Sequence, residues 1–372
     1  MDCYYNPVKT YLGTGSLSVL PKLVKELDPG KILLLIWDES VLQNRFIKAA
    51  AAEWKDKLTI KNFAWSNPEL LQLYEMYNET KNAGFELIIA VGGGSVLDVG
   101  KSLCCLYAQD IALPEELRTL IETKNYKEPA CKWIGVPTTA GTGSEVTCWA
   151  TVWDSAHDKK YSVDTQANYA YAAVVDPELA NTMPVKLAVS SALDAVCHAA
   201  ESYWSKASNA VSRAAALAAI KTIMDNLNGL LCGKEEAHEA MAQGSLLAGM
   251  AFSNTRTTAC HSISYPLTMK YHIPHGVAVS ILLAPVMQLN MPYIKNGKEL
   301  LAAFGADSAA EVAQKITDIL EKSGSPAKLS QWGAAEEDFA DLAAHSMTKG
   351  RADNNPAELT KANVTEILKT VF

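Results

Sequence analysis

The chain has 372 residues, 49% of them hydrophobic and 20% charged, a composition that excludes a disordered chain and leaves room for two well-filled domains. Its formal net charge of -8, with no run of Lys or Arg, excludes a basic stripe for nucleic acid. The N-terminus MDCYYNPVKT has no charged n-region or apolar h-region, and the longest apolar runs fall short of a membrane span. Eight cysteines are scattered without a C-x-x-C pair, and most of them are expected to be reduced, small core residues. These features predict a cytoplasmic protein with no membrane or nucleic-acid partner.

Taken in order, residues 9–176 alternate strand-like and helix-like segments. A short strand over Thr10–Leu12 leads to a helical pattern over Leu17–Leu27; after Asp28-Pro29-Gly30, the apolar run Ile32–Trp37 reads as a strand buried on both faces, with Asp38 at its end. A helix over Leu42–Trp54, a strand over Leu58–Ala64, a helix started by Asn67-Pro68 and a strand over Phe85–Val91 follow. This alternation predicts a mostly parallel sheet covered by helices, with ligands at the carboxyl ends of its strands. Gly92-Gly93-Gly94-Ser95 stands at such an end, and Ser95 with Asp98 forms a capping-box-like pattern for the next helix. The turn is either structural or a helix N-terminus offered to a pyrophosphate. A second glycine- and hydroxyl-rich loop, Gly135–Ser144, follows the strand Trp133–Val136, and two such loops on one sheet favour a dinucleotide.

Past Asp176-Pro177 alanine becomes abundant and helical periodicity runs through Val185–Leu231, Ala237–Phe252, Ala309–Lys322, Glu337–Thr348 and Leu359–Phe372. The expected architecture is an α/β domain over 1–180 and an all-helical domain over 181–372, with a cleft between them. In SALDAVCHAAESYW, Asp194 and His198 are four apart and share a helix face; His261 and His275 lie farther on, either side of a turn at Ile273–Gly276. A single histidine is more often a packed core residue than a ligand, but one carboxylate and three neutral imidazoles suit one divalent ion, Fe(II) or Zn(II), with a position open to substrate. Cys197 and Cys260 precede two of these residues and are expected to pack behind them.

Together GGGSVLDVGK (Gly92–Lys101), GVPTTAGTGSEVT (Gly135–Thr147), VVDPEL (Val174–Leu179), DAVCHAAESY (Asp194–Tyr203), PHGVA (Pro274–Ala278) and NNPAELT (Asn354–Thr360) resemble the iron-dependent, or group III, alcohol dehydrogenase family, nearly end to end. The resemblance implies a Rossmann-like dinucleotide domain and a helical metal domain. By matching position, Asp194, His198, His261 and His275 hold the metal, and Gly93, Gly94, Ser95, Asp98, Thr138, Thr139, Thr142 and Lys160 line the cofactor. Asp38 is the candidate for the adenosine ribose, favouring NAD(H) over NADP(H), unless it is an ordinary strand-end turn. A homo-oligomer, commonly a dimer, is also implied.

Departures from the family pattern bear on substrate. Where many members carry a histidine four residues after the third ligand, credited with proton relay, this chain has Tyr265; Tyr265 itself and His272 are the candidate proton carriers. Arg256 stands where relatives have small or apolar residues, and it and Arg351 are candidates for an anionic substrate group or for salt bridges. Trp149 is a candidate pocket wall or core residue. TTACHSISYPLT is similar to the subgroup that reduces phosphonoacetaldehyde or sulfoacetaldehyde. The leading expectation is an NADH-dependent reductase of such an aldehyde. A lactaldehyde-, propanediol- or butanol-type enzyme on neutral substrates is the alternative, and a dehydroquinate-synthase-like lyase the remote one.

Overall fold

The computed structural model describes residues 2–157 and 159–372, which fall into two compact units. One comprises Asn6–Thr139 and Ser144–Leu179; the other contains residues 2–5, Ala140–Gly143 and the chain from Ala180 onward. A division at 180/181 therefore omits two segments that pack with the helices. The second is drawn in by its glycines: a Cβ on Gly141 would meet the Ser191 carbonyl at 2.8 Å, and one on Gly143 would meet Gly249 Cα at 2.5 Å.

Among the described residues the first unit has eight strands, β1 (Lys9–Leu12), β2 (Ile32–Ile36), β3 (Leu58–Asn62), β4 (Leu87–Gly92), β5 (Lys132–Pro137), β6 (Trp149–Asp154), β7 (Lys159–Asp164) and β8 (Ala172–Val175). Six form a parallel sheet in the order β1-β8-β5-β4-β2-β3, while β6 and β7 make an antiparallel hairpin. Every residue of β2 and β4 is buried, as continuous apolar runs predict; β3 lies at the edge, and Ile60 stays exposed. The helices are α1 (Leu20–Leu27), α2 (Arg45–Glu53), α3 (Leu70–Thr80), α4 (Gly94–Leu106) and α5 (Pro114–Thr123).

Several boundaries differ from expectation because caps, not periodicity, set them. Residues 16–19 form a 3-10 turn, and α1 begins beside Pro21, which needs no N–H partner in a first turn. Asn44 accepts from the backbone N–H groups of Phe46 and Ile47 and so starts α2 at Arg45. Asn67 is not a cap: it is left-handed, and Glu69 forms a capping box with Gln72. Ser95 and Asp98 form no capping box either; Gly93 occupies the N-cap of α4 without a side-chain cap.

The second unit is all helical: α6 (Val185–Trp204), α7 (Ala210–Leu231), α8 (Glu235–Thr255), α9 (Ala259–Tyr271), α10 (His275–Asn290), α11 (Gly297–Ala303), α12 (Ala309–Lys322), α13 (Phe339–His345) and α14 (Lys361–Thr370). The long pattern over Val185–Leu231 is two helices, because Asn209 caps α7 and breaks the run. Alanines on α6 let neighbours approach closely. Gly276 marks the extreme, where a Cβ would sit 2.0 Å from the Ser190 carbonyl. The stretch His275–Tyr293 is apolar enough to cross a bilayer by composition, yet 67% of it is buried inside this unit, as a core helix is.

Candidate active site

Three helices of the second unit bring ligand atoms to one point. Asp194 comes from the middle of α6, His261 from the first turn of α9 and His275 from the first residue of α10. One ligand atom of each lies within 4.8 Å of the others. His261 Nε2 is 3.5 Å and His275 Nε2 3.8 Å from Asp194 Oδ1. His198 is brought alongside this cluster rather than into it: its ring stacks on that of His261 at 4.5 Å, and its Nδ1 is 4.0 Å from Asp194 Oδ2. Phe252 covers its other neighbourhood with a ring stacked at 4.3 Å.

Hydrogen bonds fix which nitrogen of each ring is available. A carbonyl only accepts, so the 3.3 Å contact from His198 Nδ1 to the Gly141 carbonyl places the proton on Nδ1 and the lone pair on Nε2. His261 Nδ1 donates to Glu201 Oε2, which likewise turns Nε2 toward Asp194. Glu201 is fully buried and its Oε1 accepts from Thr258 Oγ1 (2.9 Å), Cys260 N (2.7 Å) and His261 N (3.3 Å) at the start of α9. A carboxylate behind a ligating imidazole orients the ring and raises its basicity. Sequence reading left Glu201 without a role, although Asp194, His198 and Glu201 share one face of α6.

The electrostatics fit a cation. Among the described residues, Asp194 Oδ1 and His261 Nε2 are buried with no hydrogen-bond partner, an acceptor facing a nitrogen whose proton is committed elsewhere. Burial opposes ionisation of Asp194, but His198, His261 and His275 outweigh it and hold the carboxyl below its usual range. Burial pushes His198 down to about 4, leaving a neutral imidazole. For His261 burial acts downward, and the Glu201 and Asp194 carboxylates more than reverse it. A carboxylate and neutral imidazoles are a donor set for Fe(II) or Zn(II). Cys197 and Cys260 are fully buried outside the cluster, with thiols raised by burial.

In the first unit, parallel register aligns the carboxyl ends of β2, β4 and β5, pairing Ile36 with Val91 and Gly92 with Pro137. That edge gathers Asp38, Gly93–Ser95, Thr138 and Thr139. Thr138 N donates to the Gly92 carbonyl at 2.9 Å, and a Cβ on Gly93 would meet Thr139 Cγ2 at 3.3 Å. No side chain caps α4, and within its first turn Val96 N and Leu97 N donate to the Gly93 carbonyl at 3.0 and 3.2 Å. Asp38 accepts from Ser40 N at 2.8 Å, and Ser40 holds its carboxyl below the usual range. Asp98 turns inward instead: it accepts from Ser144 Oγ (2.6 Å) and Thr151 N (2.7 Å). Fully buried Lys101 completes this network, donating to Ser144 Oγ (3.0 Å), Thr147 Oγ1 (3.1 Å) and the Trp149 carbonyl (2.8 Å). Trp149 thus opens β6 within the first unit. Lys160 lies on β7 with Nζ 5.1 Å from the Trp153 ring centre, and Thr142 sits in the segment that packs with the helical unit.

The remaining candidates divide. The Tyr265 ring stacks on His275 at 5.9 Å, and Arg351 Cζ lies 5.3 Å from the centre of the Tyr265 ring. Arg256 caps α8 with φ 60 and ψ -177, beside Gly350. His272 is not gathered into the group: it is an exposed, left-handed C-cap of α9.

A parallel sheet with glycine-rich strand ends, together with a helical unit that gathers Asp194, His261 and His275, points to a metal-dependent oxidoreductase. Sequence profiles sharpen this: residues 7–177 match iron-containing alcohol dehydrogenase, and residues 188–372 match the C-terminal part of the Fe-containing alcohol dehydrogenase family. The chain belongs to that family, and it is an oxidoreductase of alcohols or aldehydes. Lactaldehyde reductase of Escherichia coli K12 is 28% identical over 380 residues, covering 97% of each chain. The 1,3-propanediol dehydrogenase of Citrobacter freundii is 30% identical over 392 residues, covering 99% of this chain and 98% of the relative. The crystal structure of sulfoacetaldehyde reductase from Bifidobacterium kashiwanohense in complex with NAD+ superposes with a TM-score of 0.89 at 25% identity, covering 100% of this chain and 98% of that one.

Proposed function

We propose that this enzyme reduces a short aldehyde bearing an anionic head group, sulfoacetaldehyde or phosphonoacetaldehyde, with NADH and one divalent metal. The observation that carries the reading is the guanidinium of Arg351 stacked over Tyr265, which itself stacks on His275. Similarity to a sulfoacetaldehyde reductase crystallised with NAD+ supports it. Asp194, His261 and His275 hold the metal, with His198 as fourth ligand through Nε2. When bound, the metal supplies Lewis acidity to the substrate oxygen and the nicotinamide supplies hydride.

The protein's own groups do the rest. Glu201 keeps the His261 proton on Nδ1, so that Nε2 faces the metal position. The first N–H groups of α4 seat the pyrophosphate, and the Asp38 carboxylate accepts from ribose hydroxyls and repels a 2′-phosphate. Burial pushes Tyr265 up to about 12, and Thr257 hydrogen-bonds its hydroxyl, so Tyr265 keeps a proton to donate at neutral pH beside His275. Eight free cysteines accord with a reducing, cytoplasmic location, and a homodimer is part of the same reading.

The test is NADH oxidation by the metal-loaded enzyme with sulfoacetaldehyde, phosphonoacetaldehyde, lactaldehyde and butanal, with and without chelator. One anionic aldehyde should lead by orders of magnitude in kcat/KM, and chelation should abolish turnover. Similarity to lactaldehyde reductase and 1,3-propanediol dehydrogenase favours a second reading, on neutral substrates; a lead for lactaldehyde or butanal would establish it.

A further inference from the structure

We infer that Arg351 is the residue that sets substrate class, seating the oxyanion head group of the aldehyde, and that Asn354 and Asn355 preorganise that seat. The inference rests on the reading above and assigns its recognition element. Arg351 Nε is buried and, among the described residues, has no hydrogen-bond partner. No carboxylate of the described residues forms an ion pair with its guanidinium, so the salt bridge entertained from sequence is not what holds it. A buried guanidinium N–H left unmatched is costly, and a bidentate oxyanion is the partner its geometry fits. The cation is steadied instead by the Tyr265 ring.

The turn that carries Arg351 is fixed from three sides. Its own N–H donates to the Thr348 carbonyl (3.1 Å), and Thr348 N donates to Ser262 Oγ on α9 (3.0 Å). Asn354 Nδ2 donates to the Thr255 (2.8 Å) and Thr257 (3.1 Å) carbonyls, while its Oδ1 accepts from Ser205 Oγ at 3.0 Å. Asn355 and Asn290 exchange amide hydrogen bonds of 2.9 and 2.7 Å, both side chains fully buried. Asn354 therefore grips the residues on either side of Arg256, whose Nη1 is 3.8 Å from where a Gly350 Cβ would stand. Arg256 holds φ 60 with ψ -177, a backbone region that disfavours a non-glycine residue and persists where surrounding contacts dictate it. The one acidic side chain of the turn, exposed Asp353, accepts from Gly350 N. Two guanidinium groups thus stand on turns stitched together, with Arg351 the one stacked toward a metal ligand.

The test compares wild type with R351M, R351K, R256M and N354A, all metal-loaded. The measurement is discrimination, the ratio of kcat/KM for sulfoacetaldehyde to that for propanal, together with the inhibition constant of ethanesulfonate against propanal. R351M should reduce discrimination about 30-fold or more, chiefly through KM, and weaken ethanesulfonate comparably. R351K keeps charge but loses the planar fork, so an intermediate loss is expected, and it serves if R351M does not fold. N354A should lower discrimination with metal content intact, which a general loss of structure would not do. If R351M and R351K keep wild-type discrimination, or if R256M alone removes it, the assignment to Arg351 is overturned while the anionic-substrate reading stands. If wild type itself shows no preference for sulfoacetaldehyde or phosphonoacetaldehyde over propanal, the substrate reading fails and takes this inference with it.

Discussion

Glu201 decides what His261 can offer. By accepting from Nδ1 it commits that proton and aims Nε2 at Asp194, while three further donors keep the carboxylate ionised and in place. Glu201→Gln should lower metal affinity about 10- to 100-fold, since the carboxylate behind a ligating imidazole is typically worth that much. Competition titration with a chromogenic chelator measures it; affinity within twofold of wild type would sink the role. A second buried acid answers to pH. Glu145 packs against Gly135, and burial pushes it up to about 7, with Lys101 only partly opposing. The folded state thus holds this proton more tightly than the unfolded chain, whose Glu titrates near 4.5. Stability contributed by protonated Glu145 is complete below about pH 4.5 and is lost as pH rises through 7, a penalty of about 3 kcal/mol. Glu145→Gln should flatten that slope and raise the melting temperature at pH 8, as thermal melts from pH 4 to 8 would show.

At the scale of elements, the site depends on helices that touch through their backbones. The Gly276 position at the start of α10 leaves no room for a methyl group against α6, so Gly276→Ala must push His275 away from Asp194. It should cost about 1–3 kcal/mol and lower metal occupancy. Gly229, inside α7, meets nothing closer than 3.4 Å, and Gly229→Ala should instead stabilise by up to about 1 kcal/mol. Equal shifts in melting temperature for the two variants would contradict this packing argument. Helices and buried strands were legible in the sequence because their apolar periods are strong. The β6–β7 hairpin, β8 and the helices α5, α9, α10 and α11 were not assigned. Nor was the fate of Asp98, because its partners lie 46 and 53 residues along the chain and no local pattern announces them.

For the whole molecule, the proposed metal ligands lie in one compact unit and the glycine-rich turn proposed for the pyrophosphate in the other, a division visible in the sequence as a change from alternating to purely helical patterning. The four proposed ligands were named from residue type and spacing. The carboxylate behind them, and the stacking of Arg351 on Tyr265, were not legible, because both depend on contacts between helices. A cation bound only by the native state stabilises it by mass action, about 2.7 kcal/mol at 100 times its dissociation constant. Chelation should therefore lower the melting temperature as well as activity, and Asp194→Asn should make the melt insensitive to chelator.

The closing turn also has a chemical lifetime. Asparagine ages when the nitrogen of the following residue attacks its side-chain amide, and Pro356 gives Asn355 no such N–H, while the Asn290 pairing immobilises the amide. Asn296, exposed and followed by Gly297, has neither protection. On storage, deamidation should begin at the start of α11 and spare the turn that holds Arg351, so substrate preference should outlast the chain's chemical homogeneity.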